Sequence, residues 1–233
     1  MRYFITFGAG DKNYYEAGER LLNQANNIQL FDKTIFYTDA DLKADTEFWN
    51  QHSNFIENNK RGYGYWIWKP YLIKKTMEQM NNGDILLYLD CGCEIDIRMK
   101  HVFNRDLELI KNEYVMGTTV CIEREWNKMD LLKKLDVLDS KYLNTPQCQS
   151  GANLILVCDK TRELINKWYE LACDYHNIDD SPSIEPNLSC FKEHRHDQSV
   201  YSLLLKKYNL FSIHPFSSIR DWRNRSGVSQ IHI

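Results

Sequence analysis

An apolar run, Ile85-Leu86-Leu87-Tyr88-Leu89, ends on Asp90 and is followed by Cys91, Cys93, Glu94 and Asp96. Two chemistries compete for this stretch. Asp90, Glu94 and Asp96 offer carboxylates to a hard cation. A divalent ion beside a diphosphate needs only one or two such ligands, the rest coming from phosphate oxygens and water. Alternatively, Asp90 is a turn or capping aspartate. Cys91-Gly92-Cys93 is too tightly spaced for half a zinc site, and His194/His196 is the only close histidine pair. Buried thiols account for these cysteines better.

Three further stretches carry reactive groups. Arg61 to Pro70 (RGYGYWIWKP) holds four aromatics, two glycines and the cations Arg61 and Lys69. Cations bind phosphate and aromatic faces stack on a base or sugar, although Trp66 and Trp68 also suit a packing wedge. His194-Arg195-His196-Asp197-Gln198-Ser199 gathers imidazoles, a guanidinium, a carboxylate and an amide at a helix start. That set suits sugar hydroxyls and developing charge, while Asp197 alone could simply cap the helix. Gly8-Ala9-Gly10 follows a strand, but position 13 is Asn, so the dinucleotide fingerprint lacks its third glycine.

The elements that must position these groups alternate. Strands are expected at 2–7, 34–37, 85–89, 114–117 and 152–157. Helices are expected at 14–26, 70–79, 131–138 and 162–175, with 48–59 helix or loop. This pattern predicts an α/β fold with a mostly parallel central sheet flanked by helices, as one domain over residues 1–233. The Ile85–Leu89 run has the apolarity of a strand buried on both faces, which puts Asp90 at its carboxyl end, where open α/β sheets bind ligands. By the same rule Phe7, Gly8, Thr38 and Asp39 end the first two strands. The polar stretch 177–193 reads as a long ordered loop, and Asp179, Asp180, Ser181, Trp126, Lys128 and Asp130, there or nearby, are candidates to bind hydroxyls or else loop and helix-cap residues.

Bulk properties exclude several classes. The net charge of −3, from 29 basic and 32 acidic residues, argues against nucleic acid as a partner. Seven cysteines without small-scaffold spacing fit reduced thiols in a cytoplasmic setting. No stretch reaches the ~20 apolar residues of a membrane span, which leaves room for a peripheral role at a membrane surface.

Together RGYGYWIWKPYLI (61–73), GDILLYLDCGCEI (83–95), QSGANLIL (149–156) and EHRHDQSVYSLLLKKY (193–208) resemble a group of bacterial and large-virus GT-A-fold glycosyltransferases. More distantly they are similar to the glycogenin-like and lipopolysaccharide galactosyltransferase families and the yeast mannosyltransferase initiators. The resemblance implies a single GT-A domain that moves a sugar from a nucleotide-sugar donor, a UDP-sugar, to a hydroxyl on a glycan, glycolipid or glycoprotein, as in polysaccharide biosynthesis. It implies a divalent cation, manganese or magnesium, at an Asp-x-Asp motif. Asp90 matches the first acid; position 92 is Gly, so Glu94 is the candidate substitute and metal dependence is left open. The family's closing histidine falls to His232, with His214 as the other candidate. Gln149-Ser150-Gly151 stands where the family has Asn-x-Gly, and Asp197-Gln198 matches its Asp-Gln pair. The implied donor-binding set is therefore Phe7, Gly8, Thr38, Asp39, Arg61, Lys69, Asp90, Gln149 and Gly151, the metal set Asp90, Glu94 and His232, and the catalytic pair Asp197 and Gln198. The Asp-Gln match points to retention at the anomeric centre; under inversion Asp197 would be the base. Two other readings stay open: a degenerate module that binds a nucleotide sugar or glycan without turnover, and an oxidoreductase built on the Gly8-Ala9-Gly10 turn.

Overall fold

The computed structural model describes residues 1–221. Its strands are β1 (Arg2–Gly8), β2 (Lys33–Thr38), β3 (Ile85–Leu89), β4 (Cys93–Ile95), β5 (Val115–Ile122), β6 (Pro146–Leu156), β7 (Phe211–Ile213) and β8 (Ile219–Asp221). The helices are α1 (Lys12–Ile28), α2 (Asp39–Ala44), α3 (Thr46–Asn58), the turn-like α4 (Gly62–Tyr65), α5 (Trp68–Met77), α6 (Lys100–Leu109), α7 (Met129–Lys134), α8 (Ser140–Leu143), α9 (Asp159–Ala172) and α10 (His196–Lys207).

Six strands form one sheet in the order β2-β1-β3-β6-β5-β7, and β4 pairs with β8 apart from it. β1 is parallel to both β2 and β3, and β7 is parallel to β5. β6 alone among the described strands of this sheet runs the other way, antiparallel to β3 and β5. The mostly parallel sheet follows from strands such as β3, whose five residues are all buried and can be covered on both faces. From β1 the chain builds β2 on one side and β3 on the other. That reversal opens a crevice at the strands' carboxyl ends.

Two apolar layers cover the sheet. One packs Leu21, Ala25 and Ile28 of α1 with Phe103 and Leu107 of α6. The other packs Leu72 and Ile73 of α5, Leu164 and Trp168 of α9, and Val200 and Leu203 of α10. Along β3 the side chains alternate: Leu87 and Leu89 join the first layer, Leu86 and Tyr88 the second. With a period of two, Asp90 continues the Tyr88 face, the face that carries α5 and α10.

Several elements differ from the sequence expectation. β5 and β6 are longer than their apolar cores, because Thr118, Gln147 and Gln149 sit in polar extensions that periodicity does not mark. The pairing of these extensions is irregular, with register shifts after Gly117 and after Thr119. α7 covers 129–134 rather than 131–138, and Asp136 beyond it is left-handed (φ 53°). The 48–59 stretch is helical, as α3. No described helix is long and apolar enough to cross a membrane.

Candidate functional site

Helices α5 and α10 both begin over the carboxyl end of β3. Lys69 lies in the first turn of α5 and Asp197 in the first turn of α10. A cation at a helix N-terminus opposes the helix dipole, so Lys69 needs acidic partners to be stable there. It has two. Its Nζ lies 3.1 Å from Asp90 Oδ1 and 3.4 Å from Asp197 Oδ2, and it donates to Ser150 Oγ at 3.1 Å. Ser150 Oγ in turn donates to Asp197 Oδ2 at 2.9 Å. The Lys69 side chain is 2% exposed, Asp197 4% and Asp90 34%. Asp90 is thus the one member of the cluster with a substantial face to solvent.

The charges do not balance: two carboxylates share one ammonium. Burial pulls Lys69 down, but Asp197 and Asp90 together outweigh it and hold its pKa above the ordinary lysine value. Burial pushes Asp197 up to about 6, and the attraction of Lys69 and the Ser150 hydrogen bond offset this only in part. The buried acid therefore carries the cost of the shared cation.

Asp90 is held from three sides. Tyr88 donates its hydroxyl to Asp90 Oδ1 at 2.5 Å, and Lys69 approaches the same oxygen. The Asp90 N–H donates to the Gly151 carbonyl at 2.8 Å. A Cβ on Gly151 would lie 2.6 Å from Asp90 Oδ2. Gly151 is therefore glycine so that the Asp90 carboxylate can lie across β6. Gly151→Ala is expected to turn that carboxylate away and cut activity at least about tenfold, since small misplacements at a reacting centre are costly. The unfolding midpoint in urea should change little; a large drop in the midpoint would show that the residue serves packing instead.

The second half of the resemblance converges on the same place. Gln198 Oε1 accepts from the Ser150 N–H at 3.3 Å and its Nε2 donates to Gln147 Oε1 at 2.6 Å, tying α10 to β6. Gln149 Oε1 accepts from Thr118 Oγ1 at 2.5 Å. Lys69 and Asp197 are both candidates in the sequence, but their pairing through Ser150 and the Tyr88–Asp90 contact are not legible there. The signal for the first was a lysine inside an aromatic run, which can be buried only if paired. The signal for the second was Tyr88 standing two residues before Asp90, on the same face.

Other predicted residues have different neighbours. Phe7 is buried and stacks on Trp68 at 3.9 Å between ring centroids. A Cβ on Gly8 would meet the Tyr14 carbonyl at 2.5 Å, so this glycine serves the approach of α1 to the sheet. Thr38 caps α2 through Asp41, and Asp39 accepts from Tyr15 at 2.5 Å and from Lys43 at 2.6 Å. Arg61 bridges Asp180 at 3.1 Å and Glu193 at 2.6 Å, which clamps the 178–195 loop rather than meeting Asp90. Lys128, Asp130 and Asp179 are loop pins: Lys128 Nζ meets Asp179 Oδ1 at 2.9 Å, and Asp130 accepts from His176 and from the N–H groups of Ile184 and Glu185. Their hydrogen bonding is spent on holding the loop. The buried imidazole of His194 is pushed down to about 3 and that of His196 to about 4, so both are neutral.

For a cation, Asp90 supplies a carboxylate with a solvent-facing edge, which suits an ion held mainly by donor phosphates. Glu94, on β4, feels the Arg20 guanidinium, which binds the Cys91 and Cys93 carbonyls at 2.8 and 2.9 Å. His214 pairs with Asp106 at 2.9 Å, and His232 lies outside the described residues. Among the described residues, Asp180, Glu193 and His196 form a group with ligand-type atoms within 4.8 Å of one another. The Arg61 guanidinium already bridges its two carboxylates, so this group is an ion-paired clamp.

No family model matches the chain, and no curated protein does. Among solved structures, the chain is similar to mouse xyloside xylosyltransferase 1 in its apo form, with 12% identity over 92% of this chain and 85% of that one and a TM-score of 0.49. It is similar to the galactosyltransferase LgtC in complex with donor and acceptor sugar analogs, with 15% identity over 90% and 72% and a TM-score of 0.47. A third similar structure is a glycosyltransferase involved in the glycosylation of the major capsid of PBCV-1, at 9% identity over 91% and 80% with a TM-score of 0.47.

Proposed function

We propose that the chain is a glycosyltransferase, a single GT-A-like domain over residues 1–233 that transfers a sugar from a UDP-sugar to a hydroxyl of a glycan, glycolipid or glycoprotein. One observation carries this reading: at the carboxyl end of the central strand, a buried ammonium is shared by a part-exposed acid, Asp90, and a buried one, Asp197. Such a set can meet a diphosphate on its exposed side and a sugar on its buried side. Sugar transfer builds positive charge on the ring and negative charge on the departing diphosphate, so fixed charges of both signs belong beside the reacting bond.

In this reading the nucleoside lies over β1 and β2, near Phe7, Gly8, Thr38 and Asp39. Lys69 stands ready to neutralise the departing phosphate, and Gln149 and Gly151 shape the floor. A manganese or magnesium ion held at Asp90 would draw further charge from that leaving group. Asp197 is nearly fully buried and already bonded to Ser150, which suits it poorly to taking a proton from an incoming hydroxyl. This favours retention, with Gln198 on the reacting face and Asp197 fixing Lys69 and Ser150 beneath it.

The second reading, a module that binds without turnover, draws on Gly92 in place of the second acid and on Lys69 already meeting Asp90. Both readings require nucleotide binding at Asp90. Thermal and calorimetric titration with UDP-, GDP- and CMP-sugars, with and without manganese, is expected to show one class stabilising the protein. The gain at a hundredfold excess over Kd should be about 2.7 kcal/mol, and it should shrink in Asp90→Ala. No stabilisation by any nucleotide sugar would overturn both readings.

A further inference from the structure

Arg195 is a guanidinium without an acid. Arg2, Arg61, Arg98 and Arg220 each meet a carboxylate, and Arg124 and Arg162 are instead bonded to amide and backbone oxygens. Among the described residues none pairs with Arg195, and its buried Nε has no hydrogen-bond partner. Its position is nevertheless fixed. The guanidinium carbon sits 4.3 Å from the centroid of the Trp126 ring. The Arg195 backbone N–H donates to the Trp126 carbonyl at 3.2 Å, and Ser199 Oγ donates to the same carbonyl at 3.0 Å. Stacking on an indole leaves the in-plane N–H groups of a guanidinium free to grip a planar or tetrahedral acid group through two parallel bonds.

Charged groups border this patch: Lys192 Nζ lies 5.8 Å from the centroid of the same Trp126 ring and pairs with Glu125, and the Glu123 carboxylate accepts from Gln147 at 3.0 Å. Arg195 stands one helical turn before Gln198, whose amide bonds Gln147. Cys121 Sγ contacts the same Gln147 oxygen at 3.9 Å, and the Arg195 charge reaches Cys121. This patch lies over β5 and β6. The sheet order puts those strands on the opposite side of β3 from β1 and β2, where the nucleoside is assigned. The stacked indole fixes the plane of the guanidinium, and an arginine held this way without a carboxylate serves an anion.

We propose that Arg195, stacked on Trp126 beside Gln198, selects an acceptor that carries an acid group, a uronic carboxylate or a phosphate, close to the hydroxyl that receives the sugar. This rests on the transferase reading, which supplies the donor side of the crevice.

The test uses methyl β-glucuronide, glucose 6-phosphate and the neutral methyl β-glucoside as probes. Their affinities are measured by saturation-transfer NMR and calorimetry on the full chain, with and without UDP. An acid probe is expected to bind at least about tenfold more tightly than the neutral one, as for a hydrogen bond to a charged group. The tighter of the two acid probes identifies the acid as carboxylate or phosphate. Arg195→Gln should erase the preference, Arg195→Lys should keep part of it, and UDP affinity should be unchanged in both. Equal or absent binding of all three probes would overturn the proposal. So would a loss of UDP affinity in Arg195→Gln, which would make Arg195 a donor contact. Failure of UDP to bind the unaltered protein would instead count against the transferase reading, with the probe preference still measured in its absence.

Discussion

Asp197→Asn is expected to yield a protein that is more stable than the natural one at pH 7.5 and at least about 100-fold less active. The folded-state pKa of Asp197 is raised from 3.8 to about 6. The folded chain therefore holds this proton more tightly than the unfolded chain. The stability linked to it is fully present below about pH 4 and is lost as pH rises through about 6. At pH 7.5 the ionised, buried Asp197 costs the fold about 2–3 kcal/mol, the worth of a shift of this size. Asparagine keeps an oxygen for Ser150 and Lys69 but carries no charge, and it leaves Lys69 with Asp90 alone. The stability gap should open between pH 4 and 6 and vanish below pH 4, as read by urea unfolding at a series of pH values. The activity of the unaltered protein should fall on the acid side near pH 6. A destabilised Asp197→Asn at pH 7.5 would show that the acid stabilises the fold and that the shared-cation account is wrong.

Lys69→Met should have the largest effect on stability. Removing one partner from a buried ion pair leaves uncompensated charge and costs about 3–5 kcal/mol. Here two carboxylates would face each other, so the loss at pH 7.5 should lie at the upper end of that range, with activity below detection. The same cluster predicts a rescue. Lys69→Met combined with Asp197→Asn should recover a large part of the lost stability, because the acid that most needed the ammonium is gone. Non-additivity of at least about 1 kcal/mol is expected for residues in one such network. Strict additivity in the double-mutant cycle would mean that the two side chains do not depend on each other.

Much of the fold was legible because the elements that build it announce themselves. The buried run of β3, the periodicity of α1 and α9, and Pro70 in the first turn of α5 gave an α/β fold with a mostly parallel sheet. The reversal of β6 was not legible, since an apolar run reads the same in either direction. Nor were the left-handed residues Tyr63, Tyr65, Trp66 and His196, with φ between 51° and 61°, which steer the chain into α5 and α10. Nothing local in these aromatic and imidazole side chains asks for that backbone; tertiary packing imposes it.

The candidate site was legible as types and not as pairs. Asp90, Lys69, Gly151, Asp197 and Gln198 were each singled out, and they lie together with Ser150 and Tyr88 between them. Arg61 was read as a phosphate ligand because a guanidinium beside aromatics suits one, yet its partners, Asp180 and Glu193, stand more than a hundred residues further on. Sequence spacing carries no record of such contacts. Thr38 shows the opposite case: a Thr three residues before an acid is a capping box that spacing alone can mark, and Thr38 pairs with Asp41 in that way.

The most direct test of the account is release of nucleotide from a panel of UDP-, GDP- and CMP-sugars, with and without manganese. It would be run on the natural chain, on Asp90→Ala and on Asp197→Asn, with a mixed glycan acceptor present. The account predicts release from one donor class, a UDP-sugar, abolished in Asp90→Ala and reduced at least about 100-fold in Asp197→Asn. Release that persists undiminished in both variants would contradict the assignment of the reaction to this cluster. No release from any donor would contradict turnover itself.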